Sequence, residues 1–126
     1  KSTINEFTKF VRFIASSLGE SMTDFIIVLC TVNTINNAKN IAHTLVENKL
    51  AACINIVPRI TSVYQWQGKV VEDDECLLII KTKSVLYDKL EAKINSIHPY
   101  EVAEIISCSI DDGSAEYLKW LGSNIL

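Results

Sequence analysis

Two histidines and four cysteines hold most of the soft-ligand chemistry available to this 126-residue chain. His98 is the more informative histidine. It falls where a helical pattern gives way to proline, in the run His98-Pro99-Tyr100-Glu101. Imidazole, thiolate and carboxylate together suit soft and borderline metal ions. His98, a cysteine brought near it by the fold, and Glu101 therefore make a reasonable metal site. The alternative of equal standing is an imidazole at a helix end that satisfies backbone carbonyls. His43 lies in a helical stretch beside Ala42 and reads as structural. Cys30, Cys53, Cys76 and Cys108 include no C-x-x-C pair, which argues against a closed zinc site. Three of them sit in apolar, strand-like runs, where cysteine acts as a small hydrophobe, and all four are expected to be reduced thiols.

Other chemistry-bearing groups point less sharply. Glu72-Asp73-Asp74-Glu75 offers oxygen ligands, but neighbouring strand residues face opposite ways, so a solvated hairpin edge is the expected role. Lys81-Thr82-Lys83 could meet an anion at a strand end. There is no G-x-S-x-G elbow and no phosphate-cradling glycine loop among only four glycines, so no enzyme is expected. An acyl-phosphate hydrolase would need an arginine set in such a loop. Arg12 and Arg59, the only arginines, have no such context. The net charge of −3 excludes a general nucleic-acid surface.

The elements that must position these groups follow from periodicity. Ile4, Phe7, Val11, Ile14 and Leu18 recur at spacings of 3 and 4, which predicts a helix over residues 3–18 with a coiled-coil-like seam, ended by Gly19. Residues 1–21 carry three bases and two acids; residues 22–126 carry nine and thirteen. This shift divides the chain into an amphipathic helical extension, 1–21, and a domain, 22–126. The extension is expected to fold back on the domain, with anchoring to partner subunits or to a membrane surface as the functional alternative. Phe25 to Thr31 reads as a strand buried on both faces. Thr34 caps a helix with Ile35, Ala38, Ala42, Leu45 and Val46 inward. Leu50 to Trp66 is a long strand with Pro58 at a bulge or edge, and Gln67-Gly68 turns it back into Lys69 to Lys83. Ser84 caps a second helix that Pro99 ends, Glu101 to Ile110 is the last strand, and Ser114 starts a terminal helix.

The order βαββαβ plus a helix is an α+β, ferredoxin-like arrangement with helices on one face of the sheet. Its strands are too apolar for the other face to meet water. The long hairpin also carries Val63, Tyr64 and Trp66 beyond a small domain's reach. A homo-oligomer with these three residues at the interface is the expected remedy. The longest apolar run, Phe25 to Cys30, is far short of the roughly twenty residues a spanning helix needs.

Several runs, in order, resemble the CutA family of divalent-cation tolerance proteins. They are Val28-Leu29-Cys30-Thr31, Leu50-Ala51-Ala52-Cys53, Ser62 to Lys69, Lys81-Thr82, His98-Pro99-Tyr100-Glu101 and Tyr117-Leu118-Lys119-Trp120. The resemblance spans roughly residues 24–121 and implies a homotrimer whose hairpins reach across to neighbours. It implies metal tolerance, copper above all, with Cys30 and His98 at two ligand positions. Ile97 stands where some bacterial members of the family have another histidine, so Glu101 or a water would complete the set. The function it implies is non-catalytic sequestration or sensing of a weakly bound copper or other divalent ion, with no organic cofactor. The rival expectation is a signalling or scaffold trimer like the PII proteins. It would receive a small ligand in an inter-subunit cleft lined by Lys81, Tyr100 and Glu101, or dock a partner protein. The cytoplasm is the expected compartment, or an organelle if residues 1–21 derive from a targeting segment.

Overall fold

The computed structural model describes residues 6–17 and 23–126. Helix α1 (Glu6–Ser17) precedes β1 (Phe25–Val32), α2 (Ile35–Glu47), β2 (Cys53–Trp66), β3 (Lys69–Lys83), α3 (Tyr87–Ile97), β4 (Ile105–Ser109) and α4 (Ala115–Ser123). This is the predicted α+β order. The four strands form one antiparallel sheet in the order β2-β3-β1-β4.

Strand alternation divides the sheet into two unlike faces. Ile26, Val28, Cys30 and Val32 of β1 are buried, as are Leu78, Ile80 and Thr82 of β3. They join Ile41 and Leu45 of α2 with Leu90 and Ile94 of α3 in the core. The one polar group in that inner row of β3 is satisfied: the Thr82 hydroxyl donates to Leu50 O at 2.6 Å. The intervening residues Ile27, Leu29, Leu77 and Ile79 are half-buried, and Val57 and Ile106 are exposed. Cross-strand pairs Leu29–Ile79 and Leu29–Ile106 set them side by side. The β1 run is thus buried on one face within the chain, not on both. Helices α2 and α3 pack on the buried side, so much of the other, apolar sheet face is left open.

Local chemistry fixes the connections. The Thr34 hydroxyl accepts Asn37 N–H at 3.1 Å and starts α2 as predicted. Inside α2 the buried stripe is Ala38, Ile41, Ala42 and Leu45, while Ile35 and Val46 are exposed. The helix is therefore rotated so that Ile41, left out of the sequence reading, is central. Gln67 and Gly68 have φ of 50° and 79°, the two left-handed residues of a type I′ hairpin turn. At Val57/Ile60 the β2–β3 register slips, so Pro58 and Arg59 oppose Cys76. Arg59 takes φ 60° there, the bulge that Pro58 signalled on this edge strand.

Three expectations need correction. Ser84 does not cap α3. Residues Ser84–Leu86 form a 3₁₀ turn without a side-chain cap, and Ser84 N–H donates to Asp24 O at 2.8 Å. The last strand starts at Ile105, not at residue 101. Residues 101–104 are instead a loop, and just before it Tyr100 N–H is taken by the His98 ring at 3.0 Å. Helix α1 exists, but its Phe7 and Phe10 are exposed, so these side chains are not folded onto the core. Ile4, Leu18 and Gly19 lie outside the described residues. At the other end Ser114 accepts Tyr117 N–H at 3.3 Å and begins α4, which buries Leu121. Gly122 packs where an added Cβ would meet the Phe25 ring at 3.2 Å.

Candidate metal centre

Cys30 lies on the inward row of β1 and is fully buried. Burial pushes its thiol up to about 12, helped by the negative charges of Glu104 and Glu75. It is a protonated, inert thiol at neutral pH. Its Sγ–H points to the carbonyl of the next residue, Thr31, at 3.8 Å.

His98 is the residue after α3, and its N–H closes that helix on Ile94 O at 2.8 Å. The side chain is buried and turns toward β1, where Nε2 lies 2.7 Å from the same Thr31 oxygen. Nδ1 accepts Tyr100 N–H. An acceptor at Nδ1 places the proton of a neutral ring on Nε2, which donates to Thr31 O. The ring also meets Tyr100 edge-on, with centroids 4.8 Å apart. The imidazole satisfies a backbone carbonyl, as one of the two sequence readings of His98 expects, although the carbonyl belongs to β1 and not to its own helix.

Tyr100 extends the network. Its hydroxyl donates to Glu75 Oε2 at 2.8 Å, and burial, followed by this bond to Glu75, raises its ionisation above the usual tyrosine value. Glu75 is buried, which corrects its grouping with the solvated acids Glu72 to Asp74. The sequence signal available was its position directly before the apolar run Cys76 to Ile80. Beside Glu75 a groove of about 320 Å³ opens between the bulge residues Pro58 and Arg59 and the start of α2 at Asn33 and Ile35.

The fold thus brings Cys30 and His98 to one carbonyl oxygen and adds Tyr100 and Glu75 around them. It does not bring in Glu101, which is exposed. Among the described residues no three histidine, cysteine, aspartate or glutamate side chains form a group able to hold a metal ion. One sulfur and one imidazole nitrogen fit a soft or borderline ion chemically. Both are protonated and hydrogen-bonded here, so an ion would have to displace those protons.

The expected cleft residues are not assembled within one chain either. Lys81 lies on the open sheet face, donating to Asn55 Oδ1 and 3.6 Å from Cys53 Sγ. Tyr100 meets β3 at Glu75, about six residues away along the strand, roughly 20 Å at the strand rise. Val63, Tyr64 and Trp66 are exposed on the outer hairpin, with the Tyr64 hydroxyl on Asp73. No helix among the described residues is long and apolar enough to cross a membrane.

Comparison with known proteins places this geometry in a lineage. The family model described as CutA1 divalent ion tolerance protein matches residues 26–124. The divalent-cation tolerance protein CutA of Thermus thermophilus is 50% identical over 98 residues, covering 78% of this chain and 95% of that protein. A CutA homolog of Xenopus laevis is 53% identical over 95 residues, 75% of this chain. The chain spans 62% of that relative's length. The solved CutA1 structure from Oryza sativa superposes with a TM-score of 0.80 at 44% identity, covering 81% of this chain and 94% of that one. Family match, identity and fold agree over the same span, and the chain belongs to the CutA1 divalent ion tolerance family.

Proposed function

We propose that this chain acts as a homotrimeric, non-catalytic divalent-cation tolerance protein that takes up copper weakly through Cys30 and His98. The observation that carries the metal assignment is the convergence of Cys30 Sγ and His98 Nε2 on the Thr31 carbonyl. The donor pair suits copper, and copper is cargo here, not a resident cofactor. Binding exchanges the thiol proton and the Nε2–H bond for metal bonds. If the metal takes Nε2, the ring proton moves to Nδ1, which then faces Tyr100 N–H donor to donor. The 98–100 loop must therefore shift. Each lost hydrogen bond costs about 1 kcal/mol, which keeps the affinity low. Glu101, a water, or a group from a second subunit completes the coordination.

The open apolar face supports the trimer. Ile106 and Val57 are exposed beside half-buried Ile27, Leu29, Leu77 and Ile79, and the hairpin presents Val63, Tyr64 and Trp66. Four free cysteines suit a reducing compartment such as the cytoplasm.

The test is an anaerobic copper titration of the reduced protein beside Cys30→Ala and His98→Ala, with the mass followed by light scattering. Saturable binding lost in both variants, on a particle of three chains, is the expected result. Binding unchanged by either substitution would make both residues purely structural.

A further inference from the structure

Among the described residues, α1 exposes an apolar face. Phe7 is 74% exposed and Phe10 62%, and Val11 and Ile14 are exposed beside them on one side of the helix. The family match begins only at residue 26, so nothing in the shared domain accounts for this face. A helix of this length is marginal alone in water, and an apolar stripe this strong needs a partner.

The pattern on the page specifies which partner. Phe7, Val11 and Ile14 keep the 4 and 3 spacing that Ile4 and Leu18 continue in the sequence, which is the seam of a coiled coil. The positions flanking that seam are Thr8, Phe10, Ala15 and Ser17, with no charge among them. Flanking positions of this kind are buried when more than two helices associate, whereas a two-stranded coil usually sets charges there. Charge also argues against a lipid surface. A helix that lies on a membrane carries a polar face rich in Lys and Arg. Here Lys9 is paired with Glu6 at 3.2 Å, which leaves Arg12 as the only other base between residues 6 and 17.

We propose that α1 docks on the α1 helices of the other copies in the assembly, forming a parallel three-helix cluster through Phe7, Phe10, Val11 and Ile14. The proposal rests on the trimer reading above. Within a trimer the three helices are tethered at an effective concentration on the order of millimolar, which offsets their shortness.

The experiment uses the full chain with Phe10 replaced by benzoylphenylalanine, illuminated and mapped by mass spectrometry, with and without Val11→Asp plus Ile14→Asp. Light scattering on the same samples reports the number of copies, and sedimentation with phosphatidylcholine/phosphatidylserine vesicles reports lipid binding. The expected result is a link from α1 of one copy to α1 of another, at least tenfold weaker in the double variant, whose mass remains that of three chains. A three-chain particle whose links stay within one chain, or whose α1 residues instead carry it to vesicles, overturns the helix cluster and leaves the trimer standing. A single-chain mass for the unsubstituted protein overturns both.

Discussion

At the scale of single residues the site is a chain of hydrogen bonds whose members depend on one another. Glu75 is buried and receives its hydrogen bond from Tyr100. Tyr100→Phe removes that donor and leaves a buried carboxylate short of a partner. The expected cost is about 1–3 kcal/mol in urea unfolding. A loss under about 0.5 kcal/mol would mean that Glu75 is solvated. Cys30 makes a pH prediction. Its folded thiol is raised to about 12 from an ordinary value of 9.0, so above that ordinary value the unfolded chain loses this proton before the folded one. The contribution is full at neutral pH and is lost as pH climbs from about 9 toward 12, at up to about 1.4 kcal/mol per pH unit. Unfolding midpoints measured across that range should fall, and Cys30→Ala should flatten the decline. An equal slope in the variant would show that the thiol is not held in its neutral form by burial.

At the scale of elements, short-range chemistry starts and turns the chain. Thr34→Ala removes the hydroxyl that accepts Asn37 N–H and should cost about 1 kcal/mol, read from the thermal midpoint. Gly68 takes φ 79° with no atom near where a Cβ would sit. Any penalty for Gly68→Ala is therefore conformational, about 1–2 kcal/mol. Gly68→Asn, which tolerates the left-handed region, should cost clearly less. Equal losses for the two would argue that the turn is not of this type.

At the scale of the molecule, one face of the sheet carries α2 and α3 and the other is largely open. Ile106→Lys sets a charge on the open apolar face, at the β4 edge beside Leu29, without touching the core. If the proposed trimer forms through this face, light scattering should report three chains for the unsubstituted protein and one for the variant, with little change in the far-ultraviolet circular dichroism. A variant that keeps the mass of three chains would place the subunit contact elsewhere, with the hairpin residues Val63, Tyr64 and Trp66 the next to be substituted.

What the sequence determined by itself was local: the order of the elements, the starts of α2 and α4, the hairpin turn, and the family to which they belong. Thr34, Ser114, Pro58 and Gln67-Gly68 act on backbone groups a few residues away, so their types and spacing are sufficient. The tertiary structure alone decided which faces meet. Periodicity put an apolar stripe on α2, but packing chose Ile41 over Ile35 and Val46. Glu75 looked like one of four solvated acids until Tyr100 covered it. The bond from His98 to Thr31 joins residues 67 apart in the chain, a distance over which no repeat of 2 or 3.6 residues carries information. A second bond, from Tyr100 N–H to Nδ1, sets the ring's tautomer. Hydrogen bonding and burial between distant segments are properties of the packed chain, and the candidate site is made almost wholly of them.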